Sequence, residues 1–208
     1  MAAATRISKT KHQVRTEETQ ARILDAAQAV FSEQGFDKTQ LEEVAARAGY
    51  TRGAIYAHYA SKEDLFLALM EQRVLTKFNE IRRVIEAEPR VGKRPGIFRD
   101  WIVAQAGDHT WGTLMLEFKL YALRQPESRE KLLHMYDLVT KASGNDFIES
   151  LFGTNLDKSA RAAAERRLVI LGAILSAVNL ESLFRPKLMT KQHVQPVLDE
   201  LFKALIRA

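Results

Sequence analysis

Between residues 51 and 56 the chain gathers polar side chains that could face a nucleic acid: the Thr51 hydroxyl, the Arg52 guanidinium and the Tyr56 phenol. A guanidinium reads base edges or phosphates through its planar fork. Gly53 lies among them, where a good helix former would be expected. Close approach of the backbone to a phosphate or base edge is a sufficient reason for it. This is the chemistry of recognition. For bond-making the sequence offers little. It has no cysteine, and its five histidines, at 12, 58, 109, 134 and 193, are too scattered to assemble a metal site. Glu130 and His134 stand one turn apart, which reads as a solvated pair. There is no G-x-S-x-G elbow, no G-x-G-x-x-G and no phosphate-binding lysine loop. An enzyme would have to work through a lone carboxylate such as Glu117, so neither catalysis nor a metal or cofactor is expected.

Helical periodicity positions these groups. Ile23, Ala26, Ala27, Val30 and Phe31 share one helix face, and Gly35 ends that helix. Thr39 and Glu42 have capping-box spacing and open a helix with Leu41, Val44, Ala45 and Ala48 on one face; Gly49 stops it. Thr51 caps a third, very short helix through Ala57, with Ile55 inward and Thr51, Arg52, Gly53 and Tyr56 outward. Ser61 and Asp64 form another capping box, opening a long helix to about Ala87. Two short helices joined at Gly49-Tyr50 make a helix-turn-helix pattern, the second helix being the one that enters a major groove.

The run from Gly49 to Phe66, GYTRGAIYAHYASKEDLF, closely resembles the DNA-binding segment of the tetracycline-repressor (TetR) family of bacterial transcriptional regulators. With the two preceding helices the resemblance covers residues 17–70. It implies a DNA-binding head over residues 1–62, basic arm included, and a helical ligand-binding and dimerisation domain over 63–208. It further implies that Thr51, Arg52 and Gly53 begin the recognition helix, that Tyr56 and His58 contact phosphates, and that Lys62 binds phosphate at a helix N-terminus. Thr39, Tyr50 and Arg15 complete the candidate DNA-contacting set. Two departures stand out: Tyr59 replaces the usual Phe, and Tyr50 replaces a smaller aliphatic residue.

Composition is that of a soluble globular chain: 208 residues, 46% hydrophobic and 27% charged. The net charge is +5, yet residues 1–16 hold Arg6, Lys9, Lys11 and Arg15 with no acid, leaving +1 for the rest. A basic arm of this kind seeks an acidic partner, nucleic acid or an anionic membrane. Met1–Ala4 leads into polar sequence without a signal-peptide run, and the apolar stretch Leu168–Val178 is too short to span a membrane. A cytoplasmic protein with no membrane partner is expected.

After the break PRVGKRPG at residues 89–96, helices are expected near 96–107, 110–124, 126–152, 158–185 and 191–207, about nine in an all-α fold. Pro196 either kinks the last helix or sits in its first turn. Leu168–Val178 is apolar nearly all round, which calls for burial on two sides. Leu168, Gly172, Ala173 and Ser176, with Leu201, Phe202 and Leu205 of the last helix, therefore form the candidate interface of a homodimer, joined as a four-helix bundle. The family resemblance implies the same dimer and an effector pocket. Its candidate liners are Trp101, Trp111, Met115, Glu117, Phe118, Phe147 and Asn179, around a small-molecule effector that is largely apolar. Taken singly, each of these residues reads more readily as plain core. The expected function is a repressor released from a palindromic double-stranded operator by its effector. The alternative is a helical small-molecule binder with no role on DNA.

Overall fold

The computed structural model describes residues 10–105, 108–154 and 156–206, with the side chains of all these except 105, 138–146, 205 and 206. Among the described residues there are nine α-helices, one short 3-10 turn and no strand. The chain divides into two compact units, residues 1–70 and 71–208. The expected division at 62/63 falls instead at the start of a helix whose first turns pack with the head.

In the first unit, α1 (Lys11–Lys38) opens on a capping box. The Thr10 hydroxyl accepts from Gln13 N–H at 3.2 Å, and the Gln13 side chain accepts from Thr10 N–H at 2.8 Å. Lys11 and Arg15 thus lie on a helix, whereas Arg6 and Lys9 of the expected arm fall outside the described residues. Ile23, Ala26, Ala27, Val30 and Phe31 are buried as their spacing requires. Gly35 breaks the helix at φ 81°, ψ 173°, a conformation closed to other residues. Beyond it the chain turns Phe36 back onto Phe31 and Phe66, with ring centroids 5.0–6.0 Å apart.

Helix α2 (Leu41–Ala48) corrects one expectation. Its N-cap is Gln40, not Thr39. The Thr39 hydroxyl instead donates to the Gly35 carbonyl at 2.7 Å and is almost wholly buried. The hydroxyl thereby bonds the last turn of α1, near the break at Gly35. The other end is as expected. Gly49 adopts φ 76°, ψ 31°, and Gly49 and Tyr50 donate back to Ala46 and Ala45 at 3.2 and 2.9 Å. Helix α3 (Arg52–Tyr56) follows, and then α4 (Lys62–Ala87). The Ser61 hydroxyl accepts from Asp64 N–H and donates to the Asp64 carboxylate.

The second unit contains the rest of α4, the 3-10 turn Val91–Lys93, α5 (Arg94–Gln105), α6 (His109–Arg124), α7 (Pro126–Phe152), α8 (Lys158–Phe184) and α9 (Lys191–Ile206). Asp108 and Asp157 cap α6 and α8, accepting from Trp111 and Ala160 N–H. Pro126 takes the first position of α7, where no N–H is missed. Pro196 lies inside α9 rather than in its first turn. The core joins Ile81, Ile85, Phe98, Phe147, Leu151, Leu171 and Phe202, with Trp101 and Leu168 packed against it. Phe202 is therefore core, and Leu168 also faces inward; only Leu201 of the expected α9 pair is exposed. The Leu205 side chain lies outside those described. Taken whole, α8 is long and apolar enough to cross a membrane, although its uninterrupted apolar run reads as too short.

Helices α6 and α8 meet at Gly112. A Cβ built there would lie 2.7–3.0 Å from the side chain of buried Asn179, closer than atoms tolerate. Asn179 is held by hydrogen bonds to the Asp108 carbonyl at 3.3 Å and His109 Nδ1 at 3.1 Å, so moving it aside would cost those bonds. Gly112→Ala should cost about 1–3 kcal/mol by overpacking, read as a lower midpoint in thermal denaturation. Adding Asn179→Ala should recover part of that loss. Simple additivity of the two losses would show that the contact is not the cause.

Candidate nucleic-acid interface

Helix α3 has five residues, too few to persist alone. It is held from within by Ile55, fully buried, and capped by the Thr51 hydroxyl, which accepts from Ala54 N–H at 3.2 Å. Helix α2 is in turn clamped to α1. Arg47 makes a two-pronged ion pair with Glu33 at 2.6 and 2.8 Å, and Gln34 donates to Glu43 at 2.7 Å. Each clamp crosses from one helix to the next, so the exit direction of α2 is set before α3 begins.

With Ile55 inward, Thr51, Arg52, Gly53 and Tyr56 share the exposed side of α3. The Arg52 guanidinium is engaged on two sides. Nη1 lies 2.5 Å from a Glu42 oxygen, Nη2 donates to the Tyr56 hydroxyl at 3.2 Å, and the group sits 5.2 Å from the Tyr56 ring centroid. The Tyr56 hydrogen bond, then Glu42, holds its pKa above the ordinary arginine value. Gly53 contrasts with Gly49. Its φ is not positive, and an added Cβ would meet only Thr51 Oγ1, at an ordinary 3.8 Å. The protein itself does not require glycine there.

The remaining candidates are placed differently. His58 is half-buried beside Tyr59, whose burial raises its phenol pKa. Tyr50 is half-buried against α1, its ring under the Arg22 guanidinium at 5.4 Å and its hydroxyl 3.5 Å from Thr19 Oγ1. Arg15 is exposed on α1, and Thr39 is buried. Lys62 Nζ donates to the Phe36 and Asp37 carbonyls at 2.9 and 3.0 Å and lies 4.7 Å from the Phe36 ring centroid. Two of its three donors thus cap the end of α1. Glu42, read from spacing as a capping partner of Thr39, proves to be the partner of Arg52. Its signal, ten residues before Arg52, carries no meaning until the turn folds.

The seven candidate pocket residues lie on α5, α6, α7 and α8. Trp101 and Phe147 belong to the core around Phe98, with Phe98 stacked on Trp101 at 6.1 Å. Trp111, Met115, Glu117 and Phe118 lie along α6, Phe118 fully buried. Trp111 lies under the Arg73 guanidinium at 4.4 Å, and Arg73 is ion-paired to Asp108. The Tyr136 hydroxyl approaches the Met115 sulfur at 3.8 Å. Asn179 faces Gly112. Sequence reasoning missed Arg73, because a cation stacking on an aromatic some forty positions away has no local signature. Among the described residues no three His, Asp or Glu side chains converge as metal ligands would.

A clamped α2, a glycine turn and a short exposed helix define a helix-turn-helix protein of all-α fold. Residues 23–69 match the family model described as bacterial regulatory proteins of the tetR family. The transcriptional regulator AcrR of Shigella flexneri is 49% identical over 63 residues, covering 30% of this chain and 28% of AcrR. This chain therefore matches less than a third of that relative's length. SmeT, described as the repressor of the Stenotrophomonas maltophilia multidrug efflux pump SmeDEF, is 26% identical with a TM-score of 0.54, each chain covered to 89%. FadR of Bacillus subtilis, solved with stearoyl-CoA, shares the fold at 22% identity and a TM-score of 0.56, with 90% of this chain and 97% of FadR covered.

The contacts of Lys62 separate a structural from a DNA role. Lys62→Met should lower head stability by about 1 kcal/mol, through lost carbonyl capping and the ring contact. Faster amide hydrogen exchange across residues 36–39, without DNA, is the readout. Unchanged exchange would show that these contacts do not hold the end of α1.

Proposed function

We propose that the chain is a ligand-responsive, DNA-binding transcriptional regulator, acting as a repressor of a palindromic operator and released by a small molecule. The observation that carries this reading is the exposed face of α3, where an engaged arginine, a tyrosine and a glycine without internal cause stand together. Thr51, Arg52 and Gly53 approach the bases and backbone, Tyr56 and His58 the phosphates, and Lys62 a phosphate through its remaining donor. Arg15 and Tyr50 flank them, whereas Thr39, almost wholly buried with its hydroxyl on the Gly35 carbonyl, is left without a contact to DNA. The relatives support this: AcrR is an HTH-type transcriptional regulator, and SmeT is a repressor.

A palindrome needs two heads. Helix α8 presents Val169, Ile170, Gly172, Ala173, Ser176 and Ala177 outward, and α9 presents Val197 and Leu201. A Cβ at Gly172 would meet nothing within 4 Å. This small-residue apolar face suits a second copy of the chain, paired about a two-fold axis as a four-helix bundle. The effector is largely apolar and is met by side chains of α5, α6, α7 and α8, with Glu117 available for a cationic or hydrogen-bonding group. Structures of this fold admit such a ligand, as stearoyl-CoA in FadR illustrates. Release is a population shift. The effector prefers a dimer whose recognition helices no longer match successive major grooves, and the coupling equals its difference in affinity for the two states. The setting is the cytoplasm of a bacterium.

Selection of bound duplexes from a random pool, at 50 and 200 mM salt, tests the reading. A palindrome should emerge, and its affinity should fall roughly 10³–10⁵-fold between the two salts if six to ten phosphates are contacted. A flat salt response would favour the alternative of a helical small-molecule binder. Arg52→Ala and Tyr56→Ala should abolish specific binding while leaving the dimer intact; nanomolar specific binding in both would refute the assignment. Gly53→Ala should raise helix stability by up to about 1 kcal/mol yet weaken operator binding. Ala173→Glu should split the dimer in sedimentation, and an unchanged dimer would place the interface elsewhere.

A further inference from the structure

We propose that Glu42 is a positioning residue that holds Arg52 for base reading, and so sets the preference at one base pair of each operator half-site. This rests on the reading of α3 as a recognition helix. Glu42 lies in the first turn of α2 and Arg52 in the first turn of α3, so their 2.5 Å contact spans the helix-turn-helix. On its other side the guanidinium is bounded by the Tyr56 hydroxyl at 3.2 Å and by the Tyr56 ring. Both charged side chains are more than half exposed, at 61% and 51%. An ion pair that exposed adds little to stability. Its consequence is geometric.

An arginine on a flexible stem is otherwise captured by whichever phosphate is nearest, a contact without sequence information. Held between a carboxylate and a phenol, it loses that freedom before DNA arrives, which lowers the entropy cost of one defined contact. The two contacts engage two of its five N–H donors, leaving enough for a two-pronged base contact. The Glu42 carboxylate also repels phosphates at this spot, biasing the guanidinium away from the backbone. Charge alone would act differently. Neutralising an acid strengthens binding to all sequences alike, because phosphate attraction is sequence-independent.

The test runs the random-duplex selection with the full-length wild type, Glu42→Gln and Arg52→Lys, the last keeping charge without the planar fork. Glu42→Gln is expected to relax preference at the same base pair of each half-site that Arg52→Lys relaxes, with the other positions unchanged. The ratio of affinities for the selected duplex and a shuffled duplex of equal composition should fall about tenfold. Thermal denaturation should be unchanged. A selected sequence identical to that of wild type overturns the proposal, as does uniform relaxation over the whole site, which would mean a displaced α2. A ratio that rises also overturns it, because Glu42 would then be withholding Arg52. If wild type itself selects no sequence, the regulator reading fails, and this proposal with it, before any variant is compared.

Discussion

Helix α3 has fewer residues than one nucleation event needs to repay its entropy, so every feature that makes it useful is imposed by what surrounds it. One residue, Ile55, anchors it inside, and one hydroxyl, Thr51, closes its first turn. Its direction is inherited from α2 through the left-handed Gly49 turn. Helix α2 is tied to α1 by Glu33–Arg47 and Gln34–Glu43, and the end of α1 is folded over by Gly35 into the Phe31–Phe36–Phe66 cluster. The whole head is a mount for about one and a half turns of helix. Such a short element keeps most of its side chains outward, because a single buried residue suffices to hold it.

The motif residues divide by whether the fold itself employs them. Gly49 is needed by the backbone, since only glycine enters its conformation without strain. Gly53 is not. Lys62 and Thr39 both bond carbonyls in the last turn of α1, which is a structural duty. Arg52 and Tyr56 close nothing; their mutual contact and the one to Glu42 lie on the surface. A residue held in place on a surface, without profit to the core, is where a binding role is to be sought.

In the second unit the same division runs along single helices. One side of α8 gives Leu171 and Leu168 to the core and Asn179 to the Gly112 crossing, while the other side stays apolar and small. Apolar surface left outward on a helix that already has an inward face marks association with something further. The aromatic residues spread between two packing regions, around Phe98 and along α6, and that spread separates residues that look equivalent in sequence.

Much of the architecture was legible from local pattern alone. Helix starts at Thr51, Asp108, Asp157 and Pro126, the stop at Gly49, and the inward faces of α1 and α2 are encoded within one or two turns of chain, where hydrogen bonding and the 3.6-residue period act. Cap assignment failed at Thr39, because its hydroxyl bonds back to the Gly35 carbonyl four residues earlier instead of forward into α2. Interface assignment failed to separate Phe202 from Leu201, because periodicity gives a stripe but not which side of the stripe meets its own core. Only the tertiary structure paired Arg52 with Glu42, Trp111 with Arg73, and Gly112 with Asn179. These pairs depend on crossing angles and turn directions set by many residues together, so no single stretch of sequence contains them.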